Sequence, residues 1–313
     1  MVHTQREPGL MRQTPVWIAP RLAERIWGRR DLGGWVSVSR IGVHGPIGEA
    51  WLTDVNCEVE TGGTLGALLA RDQPARTAPP LLAKLLFTSA PLSVQVHPTD
   101  VAAHASGVLA SGKDEAWHVL EATSDAQVWI GFHQPVTARM LRATSADGTV
   151  LSLMRRHAVR TGETLFVPAG TVHAIGAGLV LLEVQDPIDV TYRLFDYGRP
   201  RPLQIDEALS VADLRSSRVV IGTATMATRQ ILAVAPRFVL ERIESENGFT
   251  LRSDGSREHI VVPLADGATV DGRALARGSA VLVPAMGDPV GIAGAAVAVL
   301  HSGLGPSPCL AMS

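Results

Sequence analysis

The sequence predicts a mainly β protein that contains a few short helices. Glycine and proline, with 30 and 20 copies in 313 residues, separate short runs of valine, leucine and isoleucine throughout the chain. Residues 159–167 and 260–264 are two such runs. Runs of this length bounded by turn-forming residues are typical of β-strands, whereas helical spacing of apolar residues is confined to short segments. An internal repeat of one strand-and-turn unit, called the echo below, also favours a β protein.

The helical segments are few. Thr99 stands where an N-cap residue is expected, and Pro80 would lie in a first helical turn, where its missing N–H is not needed. The predicted helices are Thr64–Ala70, Pro80–Leu86, Thr99–Ala105, Thr137–Met140 and Leu203–Leu209.

The echo suggests two halves. Gly162, five residues and Pro168-Ala169 recur as Gly278, five residues and Pro284-Ala285, each time closing an apolar run. The boundary between the halves is placed at residue 220, because the residues from about 216 to 229 are small, polar and weakly patterned. Chance recurrence in a chain rich in glycine and proline is the alternative. The prediction is a site-bearing domain, 1–220, with helical insertions, followed by a C-terminal domain, 221–313.

Composition excludes several classes of function. Charged residues make up 19% of the chain and the net charge is -2, which argues against a nucleic-acid-binding surface. Two cysteines exclude a disulfide scaffold and fit a reducing compartment. The first 20 residues lack the apolar core of a signal peptide, and the longest apolar run, 291–300, is too short to cross a bilayer. We expect a cytoplasmic protein without nucleic-acid or membrane partners.

Four side chains form a candidate metal site. Gln95 and His97 are two residues apart, so an extended chain puts them on one face. Glu115 lies on another apolar segment, and His173 follows the strand and turn that begin at Gly162. Two imidazoles, a carboxylate and an amide suit a borderline divalent cation that keeps room for a substrate oxygen. The spacing alone does not separate Gln95 from Ser93, which alternates onto the same face.

A structural role is the usual one for a single histidine near a strand. The candidate metal site would be ruled out only if such a structural role held for several of these residues at once. The other histidines are interpreted as structural or exposed. His118 is instructive, because it lies three residues after Glu115 and should face away from it on a strand.

These motifs resemble a known family. The pattern Gly162, five residues, Pro168, one residue, Gly170, two residues, His173 is similar to the second signature of the cupin superfamily of jelly-roll β-barrels. Further blocks resemble the type I mannose-6-phosphate isomerases, also called phosphomannose isomerases, in their short bacterial form. They are Ile26–Gly28, Gly48–Trp51, Pro91–Pro98, Gly112–Trp117, Val167–Ile175, Glu183–Gln185 and Asp189–Arg199. The likeness runs from about Ile26 to Leu209, and beyond Ile231 it is one of architecture.

In the internal repeat, Pro289 takes the place of His173 and cannot bind a metal. The resemblance implies two cupin-like barrels, the first catalytic and the second degenerate. It also implies roles for particular residues. Gln95, His97, Glu115 and His173 match the family's metal ligands, which usually hold one zinc ion, although other divalent transition metals remain open. For the enediol chemistry that such an isomerase performs, Arg193 and Lys113 are candidates for charge stabilisation or proton transfer, and Asp189 is a candidate for orienting or accepting the proton. Ser93, Arg199 and Lys84 match positions that contact the substrate phosphate.

Lys84 has an alternative interpretation as the polar face of the predicted helix Pro80–Leu86. For the whole chain, the leading hypothesis is a metal-dependent isomerase that interconverts mannose 6-phosphate and fructose 6-phosphate through an enediol. Two alternatives stay open: a cupin-type Fe(II) oxygenase, since two histidines and a carboxylate also suit iron, and a non-enzymatic sugar-phosphate binding protein. The sequence leaves the oligomeric state open.

Overall fold

The structure is a computed structural model that describes residues 14–36, 44–72, 78–107, 109–216, 221–225 and 227–312. The described part of the chain is mainly β, as predicted. Its helices are α1 Leu65–Asp72, α2 Asp100–Ser106, α3 Ala138–Asp147 and α4 Ile205–Val211, with a 3₁₀ helix at Val150–Leu153. None of these helices is long and apolar enough to span a membrane.

The strands form three sheets in this part of the chain. Up to residue 225 they are β1 Val16–Ile18, β2 Arg21–Arg29, β3 Ile47–Trp51, β4 Leu82–Phe87, β5 Val94–Val96, β6 Glu115–Ala122, β7 Gln127–Phe132, β8 Met154–Ala158, β9 Glu163–Val167, β10 His173–Ile175, β11 Leu179–Gln185, β12 Tyr192–Phe195 and β13 Ile221–Thr223. The C-terminal strands are β14 Arg229–Val234, β15 Val239–Leu251, β16 His259–Pro263, β17 Thr269–Val270, β18 Arg273–Ala274, β19 Ala280–Val283, β20 Val290–His301 and β21 Leu310–Met312.

Two of the sheets are formed by strands of the first half, together with β13, which follows the predicted boundary at residue 220. One has the order β12-β5-β10-β7-β8, and the other has the order β13-β9-β6-β11-β4-β3-β2. An apolar cluster that includes Trp117 and Leu181 from the second sheet and Ile130 and Ile175 from the first fills the space between them. The two sheets therefore face each other across a core, and side chains at one end of that core can converge from both.

The helix caps follow the sequence. The Thr99 hydroxyl accepts from the amide of Ala102 at 3.3 Å, and the Thr137 hydroxyl accepts from that of Met140 at 3.1 Å. The helix that Thr137 caps is longer than predicted and ends where Gly148 adopts a left-handed φ of 81°.

The predicted helix Pro80–Leu86 is wrong, because residues 82–87 form β4. This strand lies between β3 and β11, and all of its side chains are buried. A strand covered on both faces shows no alternation of polar and apolar residues, and its alanine, lysine and leucines also suit a helix, so the local pattern misleads.

The echoed unit has the same local geometry in both halves. Gly162 and Gly278 have φ values of 87° and 76°, and they precede β9 and β19. At Gly278 a Cβ would lie 2.3 Å from the carbonyl oxygen of Trp35, so glycine is required there by both conformation and space.

The third sheet contains the C-terminal strands together with β1, which pairs with β19. A shared apolar cluster includes Ile18 and Phe87 from the first half and Phe238 and Ile260 from the second. Residues 217–220, where the domain boundary is predicted, lie outside the described residues, as do residues 1–13. The division at 220 and the closure of each half into a barrel stay predictions.

Candidate active site

The candidate metal ligands come from both sheets of the first half. β5 and β10 are neighbours, with Gln95 opposite His173, and His97 follows β5 directly. Glu115 begins β6 in the facing sheet, where it pairs with Val167 and Gln185. Residues that are far apart in sequence therefore meet at one end of the core.

His97, Glu115 and His173 form a tight, buried cluster. The Nε2 atom of His97 lies 3.0 Å from Oε1 of Glu115, and Nε2 of His173 lies 3.6 Å from Oε2. Their ligand atoms all lie within 4.8 Å of one another. Each residue is at most 2% exposed. In the described part of the chain this is the group of histidine and carboxylate side chains with the spacing of a metal site.

Backbone contacts fix the orientation of both imidazoles. The Nδ1–H of His97 donates to the Val190 carbonyl at 2.7 Å, and that of His173 donates to the Thr171 carbonyl at 2.8 Å. Because a carbonyl only accepts, each ring keeps its Nε2 lone pair for the centre of the cluster. Second partners of this kind are typical of metal-bound histidines.

Burial keeps these imidazoles neutral. It lowers the pKa of His97, with the charge of Lys113 acting in the same direction, and it lowers the pKa of His173 to about 4. Neutral imidazole is the form that binds a cation. The donor set, its burial and its protonation state thus fit Zn²⁺ or a similar ion.

Gln95 completes the cluster with an amide. Its Oε1 accepts from the Ser93 hydroxyl at 3.0 Å, and its Nε2 lies 3.3 Å from Nε2 of His173. In this orientation the amide donates to His173. Rotation of the amide would exchange its oxygen and nitrogen and turn the oxygen toward the cluster.

A buried lysine adjoins the cluster. The ammonium of Lys113 lies 2.7 Å from Oε1 of Glu115 and 3.5 Å from Nε2 of His97. Burial acts to lower the pKa of Lys113, but Glu115 and Glu183 outweigh it, so the pKa is raised. Burial likewise acts to raise the pKa of Glu115, but the opposing interactions, of which the charge of Lys113 is the largest, outweigh it and hold the pKa well below its usual value.

A polar cavity of about 320 Å³ opens beside this cluster. Seven of the residues predicted from the sequence line it, and these are Lys84, Ser93, Gln95, Lys113, Glu115, Asp189 and Arg193. The imidazoles of His97 and His173 lie behind them. Arg199 is not among the lining residues. A cavity of this size, with convergent charged groups and perturbed pKa values, suits a small polar substrate.

The sequence is similar to those of named mannose-6-phosphate isomerases. The chain is 34% identical to mannose-6-phosphate isomerase ManA of Bacillus subtilis over 230 residues, which cover 66% of this chain and 70% of that protein. The chain belongs to the mannose-6-phosphate isomerase family. It is also 32% identical to the mannose-6-phosphate isomerase of Streptococcus mutans over 215 residues, 63% of this chain and 67% of the relative. No family model matches the chain.

Solved structures agree on the fold. The crystal structure of the mannose 6-phosphate isomerase from Bacillus subtilis superposes with a TM-score of 0.78 over 92% of this chain and 99% of that one, at 23% identity. A mannose 6-phosphate isomerase bound with zinc and yttrium superposes with a TM-score of 0.70 over 93% and 100%, at 15% identity. Identities this low establish the fold alone. The family membership does not favour the oxygenase and binding-protein alternatives.

Lys84 lies inside the cavity of this family member, not on a helix surface. It is 3% exposed, and its ammonium lies 3.9 Å from the ring centroid of Trp51. It also lies 3.7 Å from Glu183 and 3.5 Å from Asp189. Burial acts to raise the pKa of Asp189, but the charge of Lys84 outweighs it and lowers the pKa. The interpretation of Lys84 as the polar face of a helix is therefore wrong.

Sequence reasoning assigned no role to Glu183, which lines the same cavity. The indole of Trp117 donates to Glu183 and to Glu115 at 3.2 Å each. Burial, followed by the charge of Glu115, raises the pKa of Glu183 to about 7. The sequence does carry a signal for Glu183, because it is a charged residue that interrupts the apolar residues of β11.

Three arginines line the cavity, and the sequence singled out Arg193 but not Arg201 or Arg25. Arg193 on β12 stands opposite Gln95, and its pKa is lowered by burial and then by the charge of Arg201. Arg201 lines the cavity and bonds Asp196 at 2.6 and 2.7 Å. Arg199 reaches the same carboxylate at 3.2 Å. Arg25, which sequence reasoning missed, lines the cavity and bonds Glu49 at 2.7 Å.

Proposed function

We propose that this protein is a metal-dependent aldose-ketose isomerase that interconverts mannose 6-phosphate and fructose 6-phosphate. The observation that carries the proposal is the buried His97, Glu115 and His173 cluster beside a polar cavity lined by charged groups of both signs, in a chain of the mannose-6-phosphate isomerase family. The substrate is a small sugar phosphate. The absence of nucleic-acid and membrane partners stays a prediction, and a cytoplasmic location fits two cysteines that are buried free thiols.

His97, Glu115, His173 and Gln95 are proposed to hold one Zn²⁺ per chain. When bound, the ion acts as a Lewis acid that favours negative charge on the sugar oxygens. In the metal-free protein Lys113 has a raised pKa and is cationic, and we assign it the stabilisation of that charge rather than the acceptance of a proton. Arg193, which lines the same cavity, is assigned the same role of stabilising negative charge on the sugar oxygens.

The isomerisation moves a proton between C2 and C1 through an enediol. A carrier must accept the proton from one carbon and return it to the other, which requires a group that titrates near neutral pH. We assign this role to Glu183, which lines the cavity beside Glu115 and has a pKa of about 7 in the metal-free protein. Asp189, whose pKa is lowered, is a permanent acceptor suited to orienting a sugar hydroxyl.

The phosphate is proposed to lie beside the guanidinium groups of Arg199 and Arg201, which share the Asp196 carboxylate. Arg201 is on the cavity side of this pair. Ser93, just before β5, and Lys84, on β4, complete the polar lining. Planar guanidinium groups match a phosphate dianion in both charge and geometry.

A coupled assay tests the proposal. Enzyme stripped with a chelator is expected to lose turnover of mannose 6-phosphate and to regain it with Zn²⁺, while solvent deuterium appears at C1 or C2 of the sugar. His173→Ala removes a ligand and should abolish the recovery.

His118→Gln is the matched control. His118 is also a buried histidine, but it faces away from the cluster and bonds Thr164 at 2.8 Å. The His118→Gln variant should therefore keep zinc-dependent turnover. Unaltered turnover after complete metal removal, or oxygen consumption without isomerisation, would refute the proposal.

A further inference from the structure

Three aspartates hold the backbone around the cluster from outside the cavity. Oδ2 of Asp186 accepts from the amide of Asp114 at 2.9 Å, and Oδ1 of Asp114 accepts from the amide of Ala169 at 2.8 Å. Oδ1 of Asp100 accepts from the amide of Gly112 at 2.6 Å. None of the three lines the cavity of about 320 Å³.

The amides that they hold flank residues of the proposed site. Asp114 lies between Lys113 and Glu115, and Gly112 precedes them. Ala169 belongs to the turn before His173, and the next residue of that turn, Gly170, donates to the carbonyl of His97 at 2.8 Å. The position of each metal-site segment thus depends on where these carboxylates lie.

The arrangement brings like charges together. Asp186 and Asp114 are buried. Without a cation the three carboxylates would repel one another, and the segments that they hold would separate.

Arg237 supplies the cation from the C-terminal half, in the turn between β14 and β15. Its guanidinium forms a two-point contact with Asp186 at 2.8 and 2.6 Å and another with Asp100 at 2.9 and 2.7 Å. The same group lies 3.9 Å from Asp114. Asp186 and Asp100 are 51 and 137 residues away in sequence, so one side chain joins distant parts of the chain.

We propose that Arg237 is a positioning residue, by which the C-terminal half holds Lys113, Glu115 and the turn before His173 in the geometry that binds the metal and stabilises the charge formed during the reaction. This gives the half without metal ligands a direct part in the activity. The kinetic part of this inference rests on the proposed function, whereas the metal-binding part does not.

The test compares Arg237→Met and Arg237→Lys with a matched control, Arg229→Met. Arg229 forms a two-point contact with the buried Glu241 at 2.7 and 3.1 Å and bonds the Ser307 carbonyl, all within the C-terminal half. Arg229 and Arg237 have similar exposure, 25% and 32%. Loss of either ion pair should lower the thermal stability of the metal-free protein by a similar amount.

Metal affinity separates positioning from stability. Zn²⁺ affinity is measured by competition with a chelator below the unfolding temperature of each variant. Arg237→Met should weaken it roughly 10- to 100-fold, as partners of metal ligands commonly do, and Arg237→Lys about tenfold, because an ammonium cannot span two carboxylates. Arg229→Met should leave affinity within about twofold of the wild type.

The kinetic readout is a fall in kcat for Arg237→Lys with little change in KM, measured at saturating Zn²⁺. A wild-type protein without isomerase activity would refute the proposed function but leave the affinity comparison intact. Wild-type Zn²⁺ affinity in Arg237→Lys, or equal losses in the Arg237 and Arg229 variants, would overturn the inference. If Arg237→Met does not fold, Arg237→Lys is judged by the same criteria.

Discussion

The ion pair between Lys113 and Glu115 provides a quantitative test of the site's electrostatics. Both side chains are at most 3% exposed, and their charged atoms are 2.7 Å apart. With an effective dielectric constant of about 20, this distance corresponds to roughly 6 kcal/mol of attraction. Desolvation offsets part of it, and removal of one member of a buried pair typically costs about 3–5 kcal/mol.

We expect Lys113→Met to lower the free energy of unfolding of the metal-free protein by about 3–5 kcal/mol, since Glu115 is left buried with its charge uncompensated. Glu115→Gln should cost less. The charge of Glu115 raises the pKa of Glu183, so its removal lets Glu183 ionise more readily and interact with Lys113. The double variant should lose less than the sum of the single losses, with a coupling of roughly 3 kcal/mol.

Urea unfolding of the four proteins with a chelator present measures this coupling. The chelator is needed because a bound ion would stabilise the folded state of some variants and not others. Equal urea slopes would show that the unfolding reaction is unchanged. Losses that add in the double variant to within about 0.5 kcal/mol would refute the reasoning.

Three further predictions concern the phosphate, acid sensitivity and packing. Arg201→Met should raise KM for mannose 6-phosphate at least about tenfold with kcat little changed, since a hydrogen bond to a charged group is worth about 1.5–3 kcal/mol. A larger rise in KM for Arg199→Met than for Arg201→Met would place the phosphate on Arg199 instead. Burial and then the charge of His301 lower the pKa of His259 from 6.5 to about 4. Between these pH values the unfolded chain binds more protons than the folded protein, so the free energy of unfolding rises with pH across that window. Urea titrations at several pH values should show that His259→Gln reduces this rise by up to about 3 kcal/mol. At Gly28 a Cβ would lie 2.3 Å from a backbone carbon of Ile47, so Gly28→Ala should lower the melting temperature and cost roughly 1–3 kcal/mol, and a wild-type melting curve would contradict this packing.

Much of the site could be predicted because its signals are local. Gln95 and His97 share a strand face through the two-residue repeat, and Thr99 and Thr137 cap helices with their own hydroxyls. The direction of His118 away from Glu115 follows from the same repeat and is confirmed by its bond to Thr164.

The remainder depends on tertiary structure. The strand that carries Lys84 has helix-forming residues and no alternation because it is covered on both faces. Arg199 and Arg201 lie just after Tyr197 and Gly198, which both have positive φ, so the strand repeat no longer indicates which arginine faces the cavity. Nothing near Arg237 in sequence indicates that its partners are as distant as Asp100.

The most direct test of the account is anomalous diffraction at the zinc edge from crystals of the reconstituted enzyme. The account predicts one peak per chain among Nε2 of His97, Nε2 of His173 and the carboxylate of Glu115, at about 2.0–2.2 Å from these atoms. No peak at this position in active crystals, or a peak bound by other residues, would contradict it.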